Sequence, residues 1–471
     1  MRRSAHRRGA GERLRHWLAV GLVCALGVAA ITLAGFGSFT HTSDNDAQVD
    51  AGLPVPTHPA PLTPRPRTGP SAVQIALTHV PKSTTTDERS LDAAMDRWMK
   101  AAGPASGALV YDMDSKAPLY ADRPTVRRPP ASVEKIFTTV SLMRILGPSA
   151  RLHTAVLGSG DLRHGVWHGN LYLHGGGDPT FGDAGFDRTW YGGAGSTASE
   201  LVAQLRRMRI RRVTGWVYGD ESLFDDRRGG LITNYAPDTP DFGGWLSALT
   251  YDHGSALKHL GPAQFATREF TITMRGAGIT ARASKHTATT PQDAKLLAEV
   301  NSPPLSVMTR LMDVPSDDLF AEMFTKQLGV LFGTGGTISS GARVIQGTIA
   351  SSYGVHPTIL DGSGLSRDDR TSPLEIVDLL RELWHTPIGN ELSASLPIVG
   401  KQGTVQTIGL KTAAVGRCIA KTGTLDDVTN LAGYCHAKDG HTLAFGLFVD
   451  GPPNWTALTL ESDMVGAIAR Y

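Results

Sequence analysis

Cysteine is almost missing from this chain, with three among 471 residues. An excess of either charge is missing too: 46 Lys and Arg stand against 44 Asp and Glu. A net charge of +2 gives no electrostatic footprint for nucleic acid, and none is inferred as a partner. No internal repeat is present, which excludes a solenoid. Metal-ligating clusters are equally scarce. His164, His168 and His174 are close in sequence, but glycines separate them and no other ligand type stands near. They read as exposed turn histidines rather than a metal site. What remains is an ordinary globular composition, 41% hydrophobic and 19% charged. A chain of this length should divide into two or three domains.

The first 40 residues differ from the rest. Arg2, Arg3, Arg7, Arg8, Arg13 and Arg15, offset by Glu12, precede an uncharged stretch over residues 17–39. That is about the ~20 residues needed to cross a bilayer. Basic residues ahead of it keep the N-terminus in the cytoplasm. We expect an uncleaved membrane anchor over residues 1–40, with the rest of the chain outside the cytoplasm. A cleaved signal peptide is the alternative and would make the protein secreted. Residues 41–82, with Pro54, Pro56, Pro59, Pro61, Pro64, Pro66 and Pro70 among Thr and Ser, read as an extended linker.

Cys24 falls in the apolar stretch, which leaves Cys418 and Cys435 in a compartment where disulfides form. Both lie in strand-like runs, residues 414–422 and 429–436. A hairpin turning about residues 426 and 427 sets them directly opposite each other. A bond is expected, two reduced buried thiols being the alternative.

The most informative stretch is Pro130-Ala131-Ser132-Val133-Glu134-Lys135, followed by the apolar run from Ile136 to Val140. Residues i and i+3 share a helix face, so Ser132 and Lys135 stand side by side. A serine hydroxyl needs a neighbouring base to take its proton, and a lysine desolvated against apolar neighbours can be that base. A second Ser-x-x-Lys, Ser255 to Lys258, runs into Gly261-Pro262 and starts no helix of useful length.

Later in the chain, Lys421-Thr422-Gly423-Thr424 ends a strand. Lys421 brings positive charge, the two hydroxyls can bind a carboxylate, and Gly423 clears a side chain where a ligand would lie against the strand edge. Ser316-Asp317-Asp318 opens a helix over residues 319–328. Asp361-Gly362-Ser363-Gly364-Leu365-Ser366-Arg367 reads as a tight turn with a structural role.

Pro-Ala-Ser-x-x-Lys, Ser-Asp-x and Lys-Thr-Gly, in that order, resemble the motif set of the penicillin-recognising serine enzymes. The segments 169–173 and 176–180, Gly219-Asp220, the Asp361 turn and Gly403-Thr404 narrow the likeness to the D-alanyl-D-alanine carboxypeptidase/endopeptidase type of low-molecular-mass penicillin-binding protein. The resemblance covers about residues 85–471.

It implies an α+β fold: a β-lactamase-like core, its antiparallel sheet built from both termini and flanked by helices, with a large, mostly β insertion. The catalytic domain is then residues 83–151 with 291–471. The insertion is residues 152–290, glycine-rich strand pairs with one basic helix over 197–209. The resemblance also implies roles. Ser132 is the nucleophile, Lys135 its base, and Ser316 a proton relay. Lys421 and Thr422 hold the terminal carboxylate of a peptidoglycan peptide. The backbone N–H groups of Ser132 and Thr424 form the oxyanion hole. β-Lactams would acylate Ser132; no metal or cofactor is implied. One position departs from the family pattern: Asp318 stands where Asn is usual, and an ionised Asp accepts but cannot donate. The competing expectation is a catalytically impaired wall-binding homologue.

Overall fold

The computed structural model describes residues 86–229, 244–257 and 259–471. The expected anchor and linker, and Lys258 of the second Ser-x-x-Lys, lie outside the described residues. Among the described residues no helix is long and apolar enough to cross a membrane.

Helix α1 (Thr86–Ala102) buries Leu91, Met95, Met99 and Ala102, a single stripe at helical spacing, and ends before Gly103. Strands β1 (Gly107–Asp112) and β2 (Ala117–Asp122) follow as a hairpin. A single 3-10 turn, Ala131–Glu134, then leads into α2 (Lys135–Ile145), buried on every side from Lys135 to Met143. A helix buried all round belongs in the middle of a protein, and α2 lies there, its few polar side chains buried with it.

The excursion comes next: β3 (His153–Arg163), β4 (Val166–Gly175), α3 (Ala184–Trp190), α4 (Ala198–Arg207), β5 (Arg212–Val213), β6 (Val217–Asp220), α5 (Pro262–Gly276) and β7 (Lys295–Asn301). These strands make their own sheet, ordered β5-β4-β3-β7 with β6 also on β4. Because β7 pairs with β3 from His153 to Gly158, the insertion runs to about residue 301 and not to 290. It also holds three helices among the described residues where one was expected. α5 carries three threonines, residues that score poorly as helix formers, and its burial against α4 and β6 overrides that preference. His174 is not a turn residue: it sits on β4, and its Nδ1 lies 3.0 Å from the Asp220 carboxylate.

The chain returns through helices α6 (Leu305–Asp313), α7 (Asp318–Phe332), α8 (Ile338–Tyr353), α9 (Pro373–Leu383) and α10 (Pro387–Ser395). Ser372 and Glu375 cap α9 reciprocally, with Pro373 at its first position. Strands β8 (Cys418–Leu425), β9 (Val428–His436) and β10 (Thr442–Asp450) and helix α11 (Asn454–Ile468) finish the fold. The main sheet is ordered β2-β1-β10-β9-β8, antiparallel throughout, so the two ends of the domain do build one sheet. Alternate residues divide between its faces. Leu109 and Tyr111 join the core around α2, while Ala108 and Val110 face α1 and α11. In the β8–β9 hairpin Cys418 lies opposite Cys435, and the two are disulfide-bonded.

Candidate active site

Ser132 and Lys135 meet because the chain tightens just before α2. In a 3-10 turn the side chains at i and i+3 eclipse, closer than the α-helical spacing expected from the sequence. Lys135 Nζ lies 3.0 Å from Ser132 Oγ. Its two other donors go to Asp318 Oδ1 at 2.6 Å and the Ser363 carbonyl at 2.8 Å. Lys135 is fully buried, so each contact counts in a low-dielectric setting.

Two glycines pack closely against that turn. A Cβ on Gly423 would come 2.4 Å from the Pro130 carbonyl, and one on Gly364 would come 1.9 Å from the Ala131 carbonyl. The expectation for Gly423 therefore changes: the bare face of the strand receives the nucleophile's own turn, not the ligand. Within that turn Ala131 adopts φ +47°, a left-handed conformation that costs ~1–3 kcal/mol outside glycine. Asn430 of β9 ties the same turn down, donating to the Pro129 and Pro130 carbonyls at 2.9 and 3.0 Å.

On the other side of the site, Lys421 Nζ donates to Ser316 Oγ at 2.8 Å and to the Thr422 carbonyl at 3.1 Å. Ser316 is itself left-handed at φ +67°. Thr422 Oγ1 donates to Thr404 Oγ1 at 2.6 Å, which explains the otherwise silent Gly403-Thr404. Thr424 is exposed on β8, the last strand of its sheet. Ser132, Lys135 and Asp318 thus form one cluster and Ser316, Lys421 and Thr422 another, near enough for the charge of Lys135 to act on Lys421, although all are scattered over the chain.

The Asp361 turn takes part more directly than its sequence suggests. Asp361 accepts from the N–H groups of Gly364 and Ser366 at 2.6 and 2.8 Å, and Glu322 of α7 accepts from Ser363 N at 3.0 Å. These contacts aim the Ser363 carbonyl at Lys135. No short motif marks Glu322 or Asn430, and nothing in the sequence singled them out. A glutamate within a mostly apolar helix was the available signal for the first.

Burial controls the charges here. It raises the Asp318 carboxyl, opposed by the charge and hydrogen bond of Lys135. It lowers Lys421 to about 7, helped by the charge of Lys135. Asp313, accepting from Thr139 and Ser395, is raised to about 6. Under α2 lie Glu134, Glu322, Asp361 and Asp369, all with pKa values raised first by burial; Glu322 reaches about 8 and Asp369 about 11.

A carboxyl whose folded pKa exceeds its unfolded value stabilises the fold fully below the unfolded value, and that stability is lost as pH rises through the folded value. For Glu322 the loss runs from about 4.5 to about 8. Lys421 acts oppositely, but only above about 7. The melting temperature should therefore fall between pH 5 and pH 7, and Glu322→Gln should flatten that slope. A slope equally steep in the variant would mean that the buried acids do not set it.

Among the described residues, ligand atoms of Asp112, Asp114 and His441 lie within 4.8 Å of one another. They are engaged already: His441 Nδ1 lies 2.7 Å from Asp112, and Asp114 accepts from Thr442 N at 2.7 Å. The cluster fastens two hairpin tips together.

The model of the D-Ala-D-Ala carboxypeptidase 3 (S13) family matches residues 88–259 and 243–471. A carboxypeptidase DacB of Mycolicibacterium smegmatis is 29% identical over 96% of either chain. A D-alanyl-D-alanine carboxypeptidase of Actinomadura sp. is 26% identical over 78% of this chain and 82% of that one. Among solved structures, penicillin binding protein 4 (dacB) of Haemophilus influenzae superposes with a TM-score of 0.68 at 20% identity, over 80% of this chain and 99% of that one.

Proposed function

Because the chain belongs to the D-Ala-D-Ala carboxypeptidase 3 (S13) family, we propose that it cleaves D-alanyl-D-alanine ends of peptidoglycan stem peptides through an acyl-enzyme on Ser132. It is a hydrolase of the D-alanyl-D-alanine carboxypeptidase kind, with the α+β fold of the penicillin-binding enzymes. The observation that carries the mechanism is the 3.0 Å contact between Lys135 Nζ and Ser132 Oγ.

The peptide lies along the outer edge of β8, its terminal carboxylate near Lys421 and the hydroxyls of Thr422 and Thr424. Ser132 Oγ attacks the carbonyl carbon of the penultimate D-alanine while its proton passes to Lys135 Nζ. The developing oxyanion is held by the N–H groups of Ser132 and Thr424, one such donor being worth roughly 3 kcal/mol. The C–N bond then breaks, and the proton taken by Lys135 passes by way of Ser316 Oγ to the departing amine, which leaves Lys135 free to take a proton from the water of the next step. A Lys421 pKa near 7 suits proton exchange with Ser316 at neutral pH. Water attacks the Ser132 ester, returning the hydroxyl and freeing the shortened peptide. A β-lactam presents a comparable amide and carboxylate and would leave Ser132 acylated.

Asp318 favours a second reading, a slow or inactive homologue, because an amine held in a 2.6 Å ion pair is a poor proton acceptor. Burial works against that pairing. With its carboxyl raised by burial, a protonated Asp318 regains a donor in place of the missing Asn.

One experiment separates the readings: labelling of the full-length protein in detergent with a fluorescent penicillin. Wild type should label, Ser132→Ala should not, and Asp318→Asn should label at least as fast as wild type. An unlabelled wild type beside a labelled control enzyme would establish the impaired reading. We further propose that residues 17–39 anchor the chain with its catalytic domain on the cell-wall side; extraction by alkaline carbonate would argue against it.

A further inference from the structure

The insertion reaches back to the segment that carries Ser316 and Asp318. Residues 244–254 bring His253 to the start of α7, where its Nε2 stands 2.6 Å from Asp317 Oδ2. Both side chains are nearly enclosed, at 12% and 13% exposure. The imidazole also leans on Phe320, the ring centres 6.2 Å apart.

Asp317 divides its two oxygens. Oδ1 caps α7 by accepting from Phe320 N at 3.0 Å, while Oδ2 faces His253. Its neighbours on either side are Ser316, bound to Lys421, and Asp318, bound to Lys135. Whatever fixes Asp317 therefore fixes both groups at once. Ser316 needs such a brace, since its left-handed backbone is unfavourable for a residue other than glycine.

His253 is presented with similar firmness. Asp252 and His253 are consecutive left-handed residues, at φ +47° and +58°. Asp252 Oδ1 accepts from Asp183 N at 2.7 Å, and the Gly254 carbonyl accepts from Trp245 N at 2.9 Å. Two strained residues persist only where their surroundings over-determine them, and such places cluster at functional sites.

We infer that His253 is a positioning residue for acyl transfer: through Asp317 it sets Ser316 and Asp318 in register with the two lysines. The insertion is then part of the catalytic apparatus. This rests on the reading of Ser132 as the nucleophile.

The test is stopped-flow acylation of the full-length protein by a fluorescent penicillin, resolved into a binding constant and an acylation rate constant. His253→Ala should lower the rate constant roughly ten- to hundredfold, the penalty of a misplaced group, with binding within about twofold of wild type. His253→Gln keeps an N–H donor and should recover most of the rate. The double variant with Asp317→Ala should be no slower than Asp317→Ala alone, since the two act as one unit. Melting temperatures of the glutamine and alanine variants should agree, so that their difference in rate is not a difference in folding.

A wild-type rate in His253→Ala overturns the proposal, as does a double variant whose losses multiply. If His253→Ala does not fold, His253→Gln decides: it must fold and acylate within a few-fold of wild type, or the proposal fails. An unlabelled wild type would instead sink the reading of Ser132 and take this inference with it.

Discussion

Replacing Lys135 with alanine should slow acylation of Ser132 by roughly 10³-fold, within the 10²–10⁴ that a positioned base contributes. The amine is the group within hydrogen-bond reach of Ser132 Oγ, and its burial removes bulk water as a substitute. Loss of charge and loss of a base must be told apart. Lys135→Arg keeps a cation near Asp318 yet cannot give up its proton, so it should be as slow as the alanine variant.

Folding should survive the change to alanine. Breaking a buried ion pair costs about 3–5 kcal/mol when a charge is stranded. Here burial already raises the Asp318 carboxyl, and removing the ammonium leaves it free to stay protonated. Rapid-mixing fluorescence with a labelled penicillin, alongside a thermal melt, measures both effects. An arginine variant within threefold of wild type would show that Lys135 acts through charge, and the proposed base would be lost.

The second large effect is expected at Gly423, a residue that touches no proton in the mechanism. Alanine suits the extended backbone of β8, so the added methyl acts by contact alone. It would meet the Pro130 carbonyl at 2.4 Å and Val133 N at 3.0 Å, both main-chain atoms that cannot rotate away. The turn has little room to retreat either, because Gly364 already closes on Ala131 and Asn430 binds Pro129 and Pro130. β8 or the Ser132 turn must shift, and a misplacement of ~1 Å costs about 10²-fold in rate.

Overpacking of this kind also destabilises by about 1–3 kcal/mol. Gly423→Ala should therefore melt a few degrees lower and acylate about a hundredfold more slowly. The size of the kinetic loss is the signature, since a merely less stable enzyme that is still folded at 25 °C would keep its rate. A variant that acylates at the wild-type rate would mean that the turn has room the contacts deny it.

Much of this was legible before any coordinates. Local spacing fixes which side chains share a face, so Ser132 with Lys135, and Cys418 opposite Cys435, follow from counting residues. Capping chemistry announced α9, and three strand-like runs announced the closing strands. The order of the three motifs, with the segments around them, pointed to the family that the comparisons then established.

The tertiary structure decided everything that depends on distant residues meeting. The Ser363 carbonyl, Asn430 and Gly364 reach the nucleophile's turn from far along the chain, and His253 reaches Asp317 from inside the insertion. Asn430 and His253 carry no local signature, and the turn that holds Ser363 and Gly364 shows itself in the sequence without showing what it touches, because a backbone carbonyl has no sequence code and a glycine looks the same whether it receives a ligand or a neighbouring turn. The sequence could name the groups that do the chemistry. What surrounds them, and so which protonation state each prefers, is a matter of burial, and burial exists only once the chain has closed on itself.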